Sequence, residues 1–299
     1  MPTEITIDVD KCKHDGLCAQ LCGARVFDWS ENEPPVVRRA ELCMLCGQCL
    51  AICANDAIAH SRLDRKNFAR IENRQPVEAA AMEQFLRQRR SVRNYKPTEV
   101  PRELLERIAQ VAGFSPTSAH GKEGWVRSVT IVSGADDMRR VAELTAEYMR
   151  ELGAFLSSFV VRQIARFKIE PRRGIGMLPD LNMRVAEYEA GRDCLVYSAP
   201  AAIFVHTPEL THEAQIDCDA ALMAMMMAAH AHGLGTCWNS WIAKAADAFK
   251  VKRAVGLRRM LAIPEHHKVG AAMTIGFPAI KLHSVPQRET AIHWATTRA

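Results

Sequence analysis

The 299-residue sequence lacks an apolar segment long enough to cross a membrane. Its longest uninterrupted apolar run, residues 220–229, is far shorter than the roughly 18 to 20 residues that a membrane-spanning helix requires. The N-terminus also lacks the basic start and apolar segment of a secretory signal. We therefore expect a cytoplasmic protein without a membrane partner.

Glycine-rich nucleotide signatures are also missing. Neither G-x-G-x-x-G nor G-x-x-x-x-G-K-[ST] occurs, which argues against a Rossmann dinucleotide site and against a P-loop. Aromatic residues make up only 6% of the chain, but 48% of its residues are hydrophobic and 24% are charged. This balance excludes a disordered or fibrous chain, and the length favours about two globular domains.

Charge and cysteine are both distributed unevenly. Residues 1–62 carry six basic and nine acidic side chains, whereas the remaining residues carry 33 and 25. Seven of the ten cysteines fall between Cys12 and Cys53. Clustered thiols in a chain without a secretion signal more often hold metal than form disulfides. An acidic, metal-binding head is therefore predicted before a basic body.

The cysteine segment repeats itself. An offset of 31 residues superposes its two copies, pairing Cys12 with Cys43, Asp15 with Cys46, Cys18 with Cys49 and Cys22 with Cys53. The second copy has the spacing C-x2-C-x2-C-x3-C, which resembles bacterial two-cluster ferredoxins. The zinc ribbon is the alternative, but seven thiols and an aligned aspartate in this spacing favour iron–sulfur clusters.

In two-cluster ferredoxins the fourth cysteine of each run binds the other cluster. By this resemblance one cluster would be held by Cys22, Cys43, Cys46 and Cys49, and the other by Cys12, Asp15, Cys18 and Cys53. We expect two [4Fe-4S] clusters, with [3Fe-4S] as the alternative next to Asp15. A carboxylate is a harder and more labile ligand than a thiolate, and His14 is a rival ligand at this corner.

The sequence predicts a ferredoxin-like domain over residues 1–62, a linker over 63–77 and an α+β domain over 78–299. Apolar periodicity predicts helices at residues 78–90, 102–112 and 219–232, and strands at residues 125–133, 199–207 and 269–277. In the first helix Ala81, Phe85 and Leu86 have core spacing, and the methionines of the third helix are assigned to core and dimer interface. The lone Cys194, Cys218 and Cys237 are expected to be buried apolar residues, and His266 and His267 to be loop residues.

Four segments of the body, in order, resemble the nitroreductase family of FMN enzymes. They are RRSVR at residues 89–93, SPTSAHGK at 115–122, GLGTCW at 233–238, and GFP at 276–278 followed by Arg288. The resemblance implies a homodimer with a mixed central sheet flanked by helices, FMN at the subunit interface, and an active-site lid at residues 142–192. It assigns to FMN binding Arg89, Arg90, Ser91, Arg93, Pro116, Thr117, Ser118, His120, Trp238, Asn239, Ser240 and Arg288.

The sequence departs from the family pattern at His120, Asn239 and Ser240. The family usually has asparagine where His120 stands, so His120 is predicted either as a catalytic proton donor or as a hydrogen-bond partner of the flavin ring. In the GLGTCW segment the family continues with an apolar residue and glycine, whereas this chain has Asn239 and Ser240. These differences concern the substrate face of the flavin.

Three functions are compatible with this combination. In the first, a donor such as reduced ferredoxin supplies single electrons to the clusters, and FMN reduces a nitro, quinone or unsaturated compound by two electrons. In the second, NAD(P)H reduces FMN and the clusters export electrons to a protein partner. In the third, the chain is a redox sensor, although no nucleic-acid-binding signature accompanies its basic residues.

Overall fold

The computed structural model describes residues 3–71, 77–117, 127–209, 211, 213–247, 255–286 and 288–295. The chain divides into two compact units. The N-terminal unit contains the described residues up to Ile71, and the C-terminal unit begins at Val77. The division falls within the segment 63–77 for which a linker was predicted. No helix in the described ranges has the length and apolarity needed to cross a membrane.

In its described residues, the N-terminal unit contains four short strands and two short α-helices. They are β1 (Ile5–Ile7), α1 (Leu17–Leu21), β2 (Phe27–Asp28), β3 (Val36–Val37), α2 (Gln48–Ile52) and β4 (Ile58–His60). Strand β1 pairs antiparallel with β4, and β2 pairs antiparallel with β3. The 31-residue offset superposes α1 on α2 and β2 on β4, so each two-stranded sheet takes one strand from each half of the repeat.

Both helices of this unit begin after a glycine with left-handed backbone geometry. The φ angle is 65° at Gly16 and 72° at Gly47, a conformation that strains any residue with a Cβ atom. A Cβ on Gly16 would lie 2.2 Å from the Trp29 ring, and one on Gly47 would lie 2.8 Å from the Phe68 ring. The two equivalent turns therefore require glycine, and they set how the cysteines on either side approach each other.

The C-terminal unit contains a four-stranded sheet and nine helices among its described residues. They are α3 (Ala79–Gln88), α4 (Arg102–Gln110), β5 (Ser128–Ser133), α5 (Ala135–Ser157), α6 (Phe159–Ile164), α7 (Ile169–Gly176), α8 (Leu178–Glu189), β6 (Ala201–Pro208), α9 (Ala214–Ala231), β7 (Gly235–Trp238), α10 (Ser240–Ala246), α11 (Gly256–Met260) and β8 (His267–Gly276). The strand order is β5-β6-β8-β7, with antiparallel pairing throughout.

The central strands are buried on both faces, which explains their continuous apolar sequence. On β6, Ile203 and Val205 pack with α4 and α9, whereas Phe204 packs on the opposite face with α5 and α10. The sheet thus lies between two helical layers, and the predicted α+β class is confirmed. The one parallel pairing in the described part of the chain is the bridge between Ser91 and Thr236.

Helix α3 differs from its prediction. Its apolar residues have helical spacing, but none of its residues is buried within this chain, and Leu86 is 47% exposed. The expected core contacts of Ala81 and Leu86 are therefore absent from this chain, while the half-buried Phe85 ring lies 4.7 Å from the His230 ring. Amphipathic periodicity identifies an apolar face but does not say what covers it.

The remaining expectations about single residues are met unevenly. Met225 and Met226 are buried on α9 whereas Met223 is 43% exposed. Cys218 and Cys237 are buried as predicted, and Cys194 is half-buried. His267 was predicted as a loop residue, but it opens strand β8, where its Nδ1 lies 2.8 Å from Nδ1 of the buried His206. A neighbouring strand, invisible in the local sequence, places His267 in the sheet.

Residues 142–192, predicted as a lid, belong to helices α5 to α8. One side of α5 is buried in the core through residues such as Val141 and Met149. Phe159, the first residue of α6, is 75% accessible, and Phe167, in the turn after α6, is 88% accessible. The segment thus combines an anchored helix with an aromatic surface, and its action as a lid stays a prediction.

Candidate functional site

The N-terminal unit contains two cavities, each lined by four residues of the predicted ligand set. The Cys12 cavity is lined by Cys12, Asp15, Cys18 and Cys53, together with apolar neighbours. The Cys43 cavity is lined by Cys22, Cys43, Cys46 and Cys49. Each cavity takes three of these residues from one half of the repeat and the fourth from the other half. The structure therefore brings together the same two quartets that the resemblance to two-cluster ferredoxins implies.

Backbone amides point at the cysteine sulfurs in both halves. They are the N–H groups of His14 on Cys12 Sγ (3.4 Å), Leu45 on Cys43 Sγ (3.4 Å), Val26 on Cys22 Sγ (3.4 Å) and Ala57 on Cys53 Sγ (3.2 Å). Left-handed backbone geometry at His14 and Leu45 turns the first pair inward. Amide donors stabilise sulfur that carries negative charge, as a metal-bound thiolate does.

The thiols of each quartet are close enough to influence one another. Burial, together with the neighbouring thiols of Cys12 and Cys53, raises the pKa of Cys18 to about 11. Burial raises the pKa of Cys49 to about 12, with the thiols of its own quartet adding to the shift. Burial and neighbouring thiols thus both disfavour the thiolate form of Cys18 and Cys49 in the protein alone.

Among the described residues, no three His, Cys, Asp or Glu side chains form a group that could hold a single metal ion. A zinc ion needs all of its sulfur ligands at about 2.3 Å from one point. In a multi-iron cluster each thiolate binds a different iron, so its ligands are spread more widely. The preference for clusters over a zinc ribbon stays a prediction from the sequence.

The Cys12 cavity differs from its counterpart in one ligand position. Asp15 occupies the place of Cys46, and its Oδ1 accepts a hydrogen bond from Leu17 N–H at 3.1 Å. Among the described residues lining this cavity, Asp15 is present and His14 is not. Asp15 therefore lines this cavity at the position that corresponds to Cys46, and its role as the fourth ligand in preference to His14 stays a prediction.

In the C-terminal unit, a cleft of about 820 Å³ lies beside β7. We call it the Arg89 cleft; its lining includes Arg89, Arg90, Thr236, Pro278 and Lys281. Nη1 of Arg89 is buried and has no hydrogen-bond partner among the described residues. An unpaired buried donor costs about 1–3 kcal/mol or more when charged, so the cleft is suited to an anion such as a phosphate.

The other two polar residues of the RRSVR segment turn away from this cleft. Burial raises the pKa of the Cys237 thiol, and the nearby Arg93 and the hydrogen-bonding Ser91 lower it. Arg93 also lies 6.0 Å from the centre of the Tyr197 ring. The segment thus divides its side chains between two sides of strand β7, which the sequence motif does not reveal.

Of the residues that follow β7, Asn239 has a structural role. Its Oδ1 accepts hydrogen bonds from the N–H groups of Trp241 and Ile242, both at 3.2 Å, at the start of α10. Its Nδ2 donates to the Leu195 carbonyl at 2.6 Å. The predicted ring contacts Trp238 and Ser240 are exposed. Asn239 therefore caps a helix with its side-chain atoms, and its place beside the flavin stays a prediction.

Comparison with known proteins decides the identity of the C-terminal unit. A family model described as the nitroreductase family matches residues 86–277. The chain belongs to the nitroreductase family. This confirms the resemblance of the body, and the cysteine-rich N-terminal unit lies outside the matched residues.

Two curated relatives and one solved structure illustrate this similarity. Nitroreductase NfnB from Mycolicibacterium smegmatis is 27% identical over 61% of this chain and 80% of its own length. A 4-nitrobenzoate reductase from Nocardioides sp. is 24% identical over 66% of this chain and 80% of its own. A Bacteroides fragilis nitroreductase structure with bound FMN is 22% identical, with a TM-score of 0.49, covering 73% of this chain and 97% of that one.

The family motifs do not reveal two charged residues that support the loop at Pro116 and Thr117. Thr117 Oγ1 donates to Oδ2 of the buried Asp217 on α9 at 3.2 Å. Arg127 Nη1 donates to the Pro116 carbonyl at 2.9 Å, and burial lowers the pKa of Arg127. An aspartate within an otherwise apolar helix face was the only signal available in the sequence.

Three further predicted site residues of this nitroreductase-family chain are Ser118, His120 and Arg288. Ser118 and His120 lie outside the described residues, so the catalytic assignment of His120 stays a prediction. Arg288 is described and exposed.

Proposed function

We propose that the chain is an FMN-dependent oxidoreductase that takes up single electrons through iron–sulfur clusters in its N-terminal unit. It would use them for the two-electron reduction of a nitro, quinone or unsaturated organic acceptor. One observation carries this proposal. Two cavities, each lined by four candidate ligands, occur in a chain that also contains a nitroreductase-family domain. Each half of the repeat provides four candidate ligands, three to one cavity and one to the other.

Iron–sulfur clusters fit the N-terminal unit by the chemistry of its donors. Seven thiols and one carboxylate would hold two clusters, with amide donors placed on four of the sulfurs. Cys22, Cys43, Cys46 and Cys49 would hold a [4Fe-4S] cluster. Cys12, Asp15, Cys18 and Cys53 would hold the other, for which [3Fe-4S] is the alternative because a carboxylate is a labile iron ligand.

FMN fits the C-terminal unit by its phosphate. The buried Nη1 of Arg89 and the neighbouring Arg90 would bind it in the Arg89 cleft, with Arg288 as a third basic residue. Asp217 and Arg127 would hold the loop at Thr117 in place beside the ring. Bound FMN exchanges electrons singly or in pairs, which is the property needed between one-electron centres and a two-electron acceptor.

Residues around the flavin ring would exclude water and supply a proton. Trp238, together with Phe155, Phe159 and Phe167, would cover the acceptor. His120 would supply a proton to the acceptor. Among the predicted ring contacts, the Asn239 side chain is left out because α10 uses it. Ser91 and Arg93 would act through the Cys237 side of β7.

A second copy of the chain would complete the proposed enzyme. Helix α3 has an apolar face that this chain leaves exposed, and Met223 on α9 is 43% exposed. Both features favour the homodimer that the family resemblance implies. No nucleic-acid partner is proposed.

The reverse electron flow is the second candidate, because the head and the body have opposite charge. Residues 1–62 have an acidic excess of three charges. Such a surface attracts a basic protein acceptor and disfavours an acidic ferredoxin. In this case NAD(P)H would reduce FMN, and the clusters would pass electrons outward to that protein.

An anaerobic titration of the purified holoprotein tests both directions. NADH, NADPH and reduced ferredoxin are added separately while flavin and cluster absorbance are followed together. Bleaching of both centres by ferredoxin alone supports the first function. Bleaching of the flavin first by a nicotinamide, followed by the clusters, supports the reverse flow. Absence of cluster absorbance and iron in anaerobically prepared protein would contradict both.

A further inference from the structure

The two halves of the cysteine repeat differ at a second position besides Asp15 and Cys46. The 31-residue offset superposes Trp29 on His60. Nε2 of His60 lies 3.4 Å from Cys43 Sγ. The Trp29 indole N–H instead donates to the backbone carbonyl of His14 at 3.3 Å. One half thus directs a side-chain N–H at a cysteine sulfur, and the other directs it at the backbone.

A backbone contact determines which nitrogen of His60 carries a proton. The N–H of Arg62 donates to His60 Nδ1 at 3.0 Å, so Nδ1 must be the nitrogen with the lone pair. The proton of the neutral ring therefore lies on Nε2, and Nε2–H is the donor to Cys43 Sγ.

Cys43 consequently receives two donors. They are the amide N–H of Leu45 at 3.4 Å and the ring N–H of His60 at 3.4 Å. Its counterpart Cys12 receives the amide N–H of His14 at 3.4 Å, while the Trp29 indole is used by the His14 carbonyl. The backbone donors are matched between the halves, so His60 is the difference.

We propose that His60 is a positioning residue that raises the reduction potential of the cluster held by Cys22, Cys43, Cys46 and Cys49. The inference rests on the proposed function, since it requires a cluster in the Cys43 cavity. Reduction adds one electron, which increases the negative charge on the cluster sulfurs. A hydrogen bond to a ligand sulfur stabilises the reduced form more than the oxidised form, and it therefore raises the potential.

The consequence is that the two sites, which already differ in Asp15 and Cys46, also differ in the hydrogen bonds to their cysteine sulfurs. His60 raises the potential of its own cluster relative to the value that cluster would have without the donor. An electron arriving from a low-potential donor such as reduced ferredoxin is then held more readily at the Cys43 cavity than it would be without His60. The repeat thereby provides two similar cavities whose redox properties are set separately by side chains outside the ligand set.

The test is an anaerobic redox titration of the full-length holoprotein, followed by electron paramagnetic resonance. His60→Phe removes the donor, His60→Gln restores an N–H, and Trp29→Phe is the matched control in the other half. Iron per chain is measured in every variant. In His60→Phe we expect unchanged iron and a lower midpoint potential for one cluster. A tenfold rise in the ratio of oxidised to reduced cluster at a fixed potential corresponds to about 59 mV.

We expect His60→Gln to recover part of the shift, and Trp29→Phe to leave the potential of the Cys43 cluster unchanged. Unaltered potentials in iron-replete His60→Phe would overturn the inference, as would equal shifts of both clusters. Loss of iron in both His60 variants would also overturn it, because His60 would then be needed to hold the cluster. A wild-type protein without cluster iron would refute the proposed function itself and would be recognised before any variant is compared.

Discussion

The two units of this chain build their candidate sites in different ways. In the N-terminal unit all eight predicted ligands lie between Cys12 and Cys53, and two copies of one short motif place them. In the C-terminal unit the cleft joins Arg89, Thr236 and Pro278, which are far apart in the sequence. Residues of a site that lie close together in the sequence can be predicted from their spacing. Residues that strand pairing brings together cannot be predicted in this way.

Two backbone bridges join the segments that line the Arg89 cleft. Ser91 forms a parallel bridge with Thr236, and Tyr95 forms an antiparallel bridge with Pro278. A Cβ on Gly235 would lie 2.6 Å from the Val92 side chain, so glycine permits this close approach. Three distant segments thus converge only after the sheet has formed. The predictions below test how independent the two kinds of site are.

The largest effect is expected from removing one ligand of the Cys43 cavity. Cys49→Ser replaces a buried thiol by a poor iron ligand, so iron per chain should fall by about half if each cavity holds one cluster. The flavin content should not change, because no residue of the Arg89 cleft lies in the N-terminal unit. Iron analysis and flavin absorbance measure both, with Cys194→Ser as the control. Full iron in Cys49→Ser would exclude the assignment of this cavity.

The next effect concerns Arg89 of the C-terminal unit, whose Nη1 is buried. Arg89→Gln should weaken FMN binding about ten- to a hundredfold, because a charged hydrogen bond contributes about 1.5–3 kcal/mol. The melting temperature of the flavin-free protein should not fall, since Nη1 of Arg89 lacks a partner among the described residues. Fluorescence titration of FMN is the measurement. Arg87→Gln, on the exposed side of α3, is the control. Equal affinities in both variants would remove Arg89 from the phosphate site.

A smaller effect should distinguish the two halves of the repeat. Asp15→Cys makes the first half match the second, so the cluster in the Cys12 cavity should become more stable towards loss of iron, because thiolate binds iron more firmly than carboxylate. Iron content and resonance spectra after exposure to a chelator provide the readout, with Asp10→Cys as the control outside the cavity. Identical iron loss and spectra in Asp15→Cys and the wild type would show that Asp15 is no ligand.

The smallest effect distinguishes a helix cap from a flavin contact. Asn239→Ala should lower the free energy of unfolding by about 1–3 kcal/mol, since it removes a cap and leaves the Leu195 carbonyl without its donor. The spectrum of bound flavin should remain that of the wild type. Thermal unfolding and absorbance measure the two quantities, with the exposed Ser240→Ala as the control. An altered flavin spectrum with unchanged stability would return Asn239 to the ring.

The sequence predicted most of the core elements of the C-terminal unit because their periodicity reports burial. The strand at residues 201–208 and the helix ending before Gly233 are examples, with Gly233 at φ 74° after the last turn. The sequence predicted the structure less well where a neighbouring element determines whether a residue is buried or lies in a strand. Helix α3 has an apolar face without cover in this chain, and His267 lies in a strand because β6 runs beside it.

By itself the sequence determined the 31-residue cysteine repeat, and the resemblance of this repeat to two-cluster ferredoxins implied the two quartets. It also determined the family, because four motifs occur in a fixed order along the chain. Only the tertiary structure decided that Arg89 points into a cleft while Arg93 contacts Cys237, that Asp217 supports Thr117, and that His60 reaches Cys43. Each of these contacts depends on the register of the sheet or on the direction of a side chain. Local spacing in the sequence specifies neither the register nor the direction.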